Sequence, residues 1–344
     1  MRKTGIIFSI ITLLLVGFKS IDLLFSVPHG FPVPVYDFEN KPLAQNKIDL
    51  GRALFYDPVL SRDSTISCAS CHSPYNAFSH IDHALSHGID NSIGTRNAPA
   101  LMNLAWQKSF MWDGAINHLD VQPLAPITNA KEMDETILQI VKKLNRSILY
   151  KSLFKNAFGD TSITGERVLL SIAQFQLTLV SAGSKYDSVV AGKSSFTSQE
   201  KNGYSLFKKN CNSCHTEPLF STYEFRNNGL SVDTTLNDYG KWNITHKQED
   251  SLLFKIPTLR NVEFSYPYMH DGRFKNLNSV LKHYTEGIVN SPTLAKELQK
   301  PIILNADQKV DLIAFLLTLT DKKFIFNPAF AFPREILLPK PKGN

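Results

Sequence analysis

Cys68-Ala69-Ser70-Cys71-His72 and Cys211-Asn212-Ser213-Cys214-His215 contain every cysteine of the chain. Both share one frame, two thiols separated by two residues and followed at once by a histidine. In a helical turn this spacing brings both thiols to the two vinyl groups of one porphyrin, where they form thioethers. The adjacent imidazole then lies under the iron and supplies its proximal nitrogen. A lone C-x-x-C would equally suit a redox dithiol or half a zinc site. A four-cysteine zinc site, however, leaves both histidines unused, and exported dithiols do not need them. The reading is two covalently bound haem c groups, held through Cys68 and Cys71 with His72 on iron 1, and through Cys211 and Cys214 with His215 on iron 2.

Working outward, the residues that lead into the two motifs echo one another. Leu50-Gly51-Arg52-Ala53-Leu54-Phe55-Tyr56 precedes the first, and Asn202-Gly203-Tyr204-Ser205-Leu206-Phe207 precedes the second. Each reads as a short amphipathic helix, and the echo points to an internal duplication. Each half also closes on an apolar helical pattern. The first runs from Val168 to Phe175; the second runs from Asp311 through Ile313, Phe315, Leu316 and Leu319, with a cap at Asn305-Ala306-Asp307-Gln308. The expected fold is mostly α, with two cytochrome c-like haem domains, over residues 35–190 and 196–325, packed against each other. The Ser-, Gly- and Lys-rich stretch from Gly183 to Ser198 reads as their junction. Residues 226–250 and 286–305 read as loop, and little sheet is expected beyond a short hairpin from Arg226 to Tyr239.

A length of 344 residues suits two domains, and 43% hydrophobic with 20% charged residues excludes a disordered or fibrous chain. The net charge of +6 is spread along the sequence without a dense basic run, so no nucleic-acid partner is expected. Met1-Arg2-Lys3 followed by the apolar run Gly5 to Phe18 reads as an export signal. That run is shorter than the roughly 20 residues of a bilayer span, and no small-x-small cleavage site follows it. Residues 1–27 are therefore read as a signal peptide or, if uncleaved, an N-terminal anchor, with the periplasm as destination.

Six ordered motifs carry a further likeness: Cys68-x-x-Cys71-His72, Gly94-Thr95-Arg96-Asn97-Ala98-Pro99, Trp112-Asp113-Gly114, Cys211-x-x-Cys214-His215, Pro257-Thr258-Leu259-Arg260-Asn261-Val262 and Pro267-Tyr268-Met269-His270-Asp271-Gly272. With them, residues 40–325 resemble the bacterial di-haem cytochrome c peroxidases, including the MauG-type branch. The resemblance implies that the haem at His72 binds hydrogen peroxide. The haem at His215 would then relay electrons from a small donor protein, a cytochrome or cupredoxin. It makes Glu132 the acid/base that moves a proton between the peroxide oxygens, Gln122 the residue that orients peroxide or water, and Pro126 a third member of that pocket. It places Trp112 between the haems and makes Arg260 a cofactor-binding residue. It also implies one calcium ion between the domains, on the Asn97 side chain and the carbonyls of Ser265 and Pro267, with Ser265 replacing a family Thr. Family members often pair as homodimers. Without the resemblance, Glu132 reads as a solvated carboxylate at a helix start and Trp112 as a core aromatic.

Two departures from the family pattern matter. Many members close the resting peroxidatic haem with a second histidine, but here that position falls on Ile89, after His80, His83, His87 and Gly88. An open iron is expected. The three histidines read as a polar surface loop, with His87 able to substitute only if the loop shifts. On the second haem, the position of the usual Met ligand falls on Tyr284, as in the MauG-type branch, with Met269 and His283 as nearby alternatives. A phenolate favours ferric iron where a thioether favours ferrous; otherwise Tyr284 is a packed aromatic. Three functions follow in order: a peroxidase fed by a small redox protein, a MauG-like oxidase that modifies a partner protein or small molecule through high-valent haem, and a non-catalytic electron carrier. A carrier has no need of a proton shuttle such as Glu132.

Overall fold

Two helix crossings, one in each half, organise this computed structural model, which describes residues 24–338. The leader read at the N-terminus lies almost wholly outside the described residues. The helices are α1 (Gln45–Tyr56), α2 (Cys68–Cys71), α3 (Leu124–Thr128), α4 (Ile137–Asn145), α5 (Ile148–Phe158), α6 (Gly165–Leu177) and α7 (Lys185–Val190). They continue with α8 (Ser198–Asn210), α9 (Trp242–Thr245), α10 (Leu277–Lys282), α11 (Ala306–Leu317), α12 (Lys322–Ile325) and α13 (Arg334–Leu337).

In the first half, Leu50, Leu54 and Phe55 of α1 are buried in one core with Val168, Ile172 and Phe175 of α6. The rings of Phe55 and Phe175 meet edge-on at 5.2 Å. A Cβ on Gly51 would stand 1.8 Å from the Ser171 carbonyl oxygen, so only glycine permits this approach. The second half repeats the device. Phe207 of α8 lies 5.1 Å from Phe315 of α11, and a Cβ on Gly203 would stand 1.9 Å from the Asp311 carbonyl oxygen. The echo in the sequence is thus the imprint of two equivalent crossings. Asn305 and Gln308 form the expected capping box at α11.

The stretch read as a junction is partly helical. Ser184 and Asp187 cap α7 reciprocally, and Tyr186 belongs to the second core. Hydrogen bonds between the halves gather at the start of this stretch. Ser181 exchanges two hydrogen bonds with the Asn103 side chain and accepts one from Asn261 Nδ2 on its hydroxyl. Asp321 accepts the amides of Ala182 and Gly183 at 3.0 and 2.7 Å. Beyond Asp321 the chain crosses back to the first half. Phe324, Ile325 and Phe330 join its core, and the Tyr56 hydroxyl donates to the Phe330 carbonyl at 2.5 Å.

Among the described residues, strand is confined to Phe225–Arg226 (β1) paired antiparallel with Phe254–Lys255 (β2). The partner of β1 is therefore not the nearby Tyr239 segment, because α9 and its flanking turns fill the interval. Among the described residues, no helix is long and apolar enough to cross a membrane.

Candidate active site

Each C-x-x-C-H motif folds as one helical turn. Ser67 and Ser70 form a capping box around α2, and in the second motif Cys214 and His215 both donate backbone amides to Cys211. The four thiols are unbridged. His72 Nδ1 lies 2.8 Å from the Phe78 carbonyl oxygen, and His215 Nδ1 lies 3.2 Å from that of Phe220. A carbonyl only accepts, so Nδ1 carries the proton and Nε2 presents its lone pair. Burial holds both imidazoles down to about 4, so they are neutral at pH 7.

The thiols discriminate among the chemistries open to the motifs. Burial, followed by the neighbouring cysteine of the pair, pushes Cys68 and Cys211 up to about 12. Burial, followed by Glu132, pushes Cys71 up to about 11. A redox dithiol needs a depressed thiol pKa, and these move the other way. Among the described residues no cluster of three or more His, Cys, Asp or Glu could hold a metal ion, which removes the four-cysteine zinc site. Neutral thiols one turn apart beside a neutral, oriented imidazole fit haem c, which would be held by Cys68, Cys71 and His72 and by Cys211, Cys214 and His215.

Glu132 is brought to the first of these sets, within charge-interaction range of both Cys68 and Cys71. Burial pushes its carboxyl up from the ordinary value, opposed by a 2.8 Å hydrogen bond from Asn129 Nδ2. The chain reverses after α3, with the Met133 amide donating to the Pro126 carbonyl, so Pro126 backs the Glu132 turn. Gln122 lies on the same segment but turns its amide towards Met111 Sδ at 3.7 Å. The loop with the three histidines runs against this turn. The Ile89 amide donates to the Glu132 carbonyl at 2.9 Å, and a Cβ on Gly88 would stand 2.5 Å from Glu132 Cα. His87 accepts the Cys71 thiol on its carbonyl, while its ring stacks on His83 at 3.9 Å.

Trp112 stands at the seam between the halves. Its indole N–H donates to the Asn97 carbonyl at 2.8 Å, and the Asn97 amide donates to the His270 carbonyl at 2.7 Å. Its own carbonyl accepts the Lys255 amide at 2.7 Å. Beside it, Arg96 binds Asp113 of the first half at 2.5 Å and clasps both carboxylate oxygens of Asp238 of the second half. Arg96 and Asp113 lie within ordered sequence motifs, but the distant Asp238 left no signal in the sequence. The Phe78 and Phe220 carbonyls also escaped, because backbone acceptors carry no side-chain signature.

In the second site, Tyr284 sits in a π-helical turn, His283–Gly287, a geometry often found at functional positions. Burial pushes its hydroxyl up to about 12; the Asn228 side chain faces it and acts against that rise, while Cys211 and Cys214 add to it. Asn228 also engages both alternatives. His283 Nε2 lies 2.9 Å from the Asn228 carbonyl, and Asn228 Nδ2 donates to Met269 Sδ at 3.4 Å. Arg260 is fully buried, with Asp187 on both terminal nitrogens and the Pro218 carbonyl on Nε. It braces the wall that holds Phe220, 5.6 Å from its guanidinium.

Fold and sites together define a mostly helical protein with two haem c attachment sites. The family described as di-haem cytochrome c peroxidase matches residues 45–195, and the cytochrome c family matches residues 200–320. The methylamine utilization protein MauG of Methylophilus methylotrophus is 36% identical over 86% of this chain and 87% of its own length. The cytochrome c551 peroxidase of Nitrosomonas europaea is 34% identical over 88% and 86%. A solved MauG-like protein associated with microbial copper homeostasis superposes with a TM-score of 0.79 at 31% identity, covering 90% of this chain and 99% of that one. The chain belongs to the di-haem cytochrome c peroxidase family, which includes MauG-like members, and is an oxidoreductase.

Proposed function

We propose that this chain reduces hydrogen peroxide to water beside Cys68, Cys71 and His72, using electrons from a small redox protein that enter at Cys211, Cys214 and His215. The position of Glu132 carries the reading. Haem c bound at the two motifs would supply the redox-active iron. The chain's residues supply the proton chemistry. Peroxide must lose a proton from one oxygen and gain one on the other before its O–O bond breaks. The Glu132 carboxylate is suited to take the first and return it, a role worth about 10²–10⁴ in rate. Asn129 holds the carboxylate in place, and Ile89, apolar where many relatives carry a ligand, leaves access for the oxidant. Trp112 links the halves through Asn97 and Lys255, which supports its role as relay.

The test is steady-state oxidation of a reduced small cytochrome by peroxide. A native protein carrying two haems that consumes no peroxide would end the reading. A second reading, oxidation of a partner protein or small molecule, is favoured by one observation: Tyr284 is buried within charge-interaction range of Cys211 and Cys214. Slow donor turnover beside a long-lived oxidised spectrum after peroxide would select it.

Calcium at the seam is part of the proposal. Among the described residues no hydrogen bond ends on Asn97 Oδ1 or on the carbonyls of Ser265 and Pro267. The Asn97–His270 bond draws the two segments together. Oxygen-only ligands suit a hard cation. Export to the periplasm is proposed from Met1-Arg2-Lys3 and the apolar run that follows.

A further inference from the structure

Lys255 is a buried lysine, 8% exposed, in β2 of the second half. Its amine reaches across the seam to the first half, donating to the Ser109 carbonyl and to Gln107 Oε1 at 3.4 Å, and lies 5.5 Å from the Phe110 ring centre. Its backbone amide donates to Trp112. One residue therefore holds the 107–112 segment at both ends, and Trp112 is the last residue of that segment.

Stability does not account for this lysine. The nearest carboxylate, Asp113, is committed to Arg96, and the acceptors of the amine are neutral. A buried cation without an opposite charge is costly, and an apolar side chain of similar length would relieve that cost. Burial accordingly drives the amine down to about 7, with Asp113 opposing the fall.

We propose that Lys255 is a positioning residue for Trp112, tying the loop that carries the indole to the second half so that the interval between the two haem sites stays fixed. The inference rests on the reading of Trp112 as relay. Lys255→Met keeps the backbone amide and releases the loop at Ser109 and Gln107. The indole N–H then loses its fixed approach to the Asn97 carbonyl.

The experiment uses the holoprotein in its half-reduced form and follows electron equilibration between the haems after a light-triggered perturbation. Lys255→Met slows equilibration about tenfold, since misplacing a positioned group by ~1 Å costs on that order or more. Haem spectra are unchanged and the melting temperature is held or raised. A merely structural lysine would lower the melting temperature and leave the rate alone. Lys255→Gln keeps a donor for Ser109 and recovers most of the rate. Native equilibration in Lys255→Met overturns the inference. Trp112→Phe separates the layers: if it slows equilibration while Lys255→Met does not, only the tether fails. If Trp112→Phe is also native, the relay reading fails and the tether with it.

Discussion

Asn129 donates its side-chain amide to Glu132 Oε1 at 2.8 Å, in the turn that faces Cys68 and Cys71. The bond favours the carboxylate, while burial favours the protonated acid, and burial wins.

A base with a raised pKa loses activity as pH falls through that value. The acid limb of kcat/KM for peroxide should therefore lie above the ordinary 4.5 of a glutamate. Asn129→Ala removes the opposing bond and moves the limb to still higher pH. Glu132→Gln lowers kcat/KM by about 10²–10⁴ with haem content intact. A limb that stays in place in Asn129→Ala would remove Glu132 from the proton path.

Ile89 offers no donor atom at the position where many relatives close the iron. The resting ferric protein should therefore give a high-spin electron paramagnetic resonance signal. Two low-spin signals alone would show that a side chain such as His87 has swung in, breaking its 3.9 Å stack on His83.

Tyr284 is buried within charge-interaction range of Cys211 and Cys214, and Asn228 engages all three candidates, through its side chain on Tyr284 and Met269 and its carbonyl on His283. Tyr284→Phe should change the spectrum of the second haem and raise its potential, since an anionic donor that favours ferric iron is lost. An unchanged spectrum would make Tyr284 a packed aromatic.

Gly51→Ala and Gly203→Ala each place a Cβ within 2 Å of a backbone carbonyl oxygen. Separation of the crossing helices should cost about 1–3 kcal/mol in each case. Thermal melts of the two variants would show it, and native melting temperatures would mean the crossings are looser than described.

Lys255 gives a pH signature of its own. Its amine titrates at about 7 in the folded chain, against 10.5 for an ordinary lysine. Between those values the unfolded chain binds more protons, so this group makes stability rise with pH; below 7 both states are protonated and the full cost remains. The charged groups nearest the amine are Asp113 and its partner Arg96. The stability advantage of Lys255→Met should thus be greatest below pH 7 and fade towards pH 10, as measured by melting temperature.

By itself the sequence determined the chemistry that covalent spacing dictates. Two C-x-x-C-H frames fix which atoms meet a porphyrin, and helical periodicity with a cap such as Asn305 fixes where the enclosing helices run, because these are local rules. Glu132, Tyr284 and Trp112 were legible only through a likeness in spacing. Tertiary structure decided what depends on distant groups. It turned Gln122 towards Met111, committed Arg260 to Asp187, and carried residues 321–338 back onto the first half. It also joined Arg96 to Asp238 and Lys255 to Ser109 across the seam. Burial and long-range hydrogen bonding arise only when segments far apart in the chain are packed together, and no local pattern encodes which of them will meet.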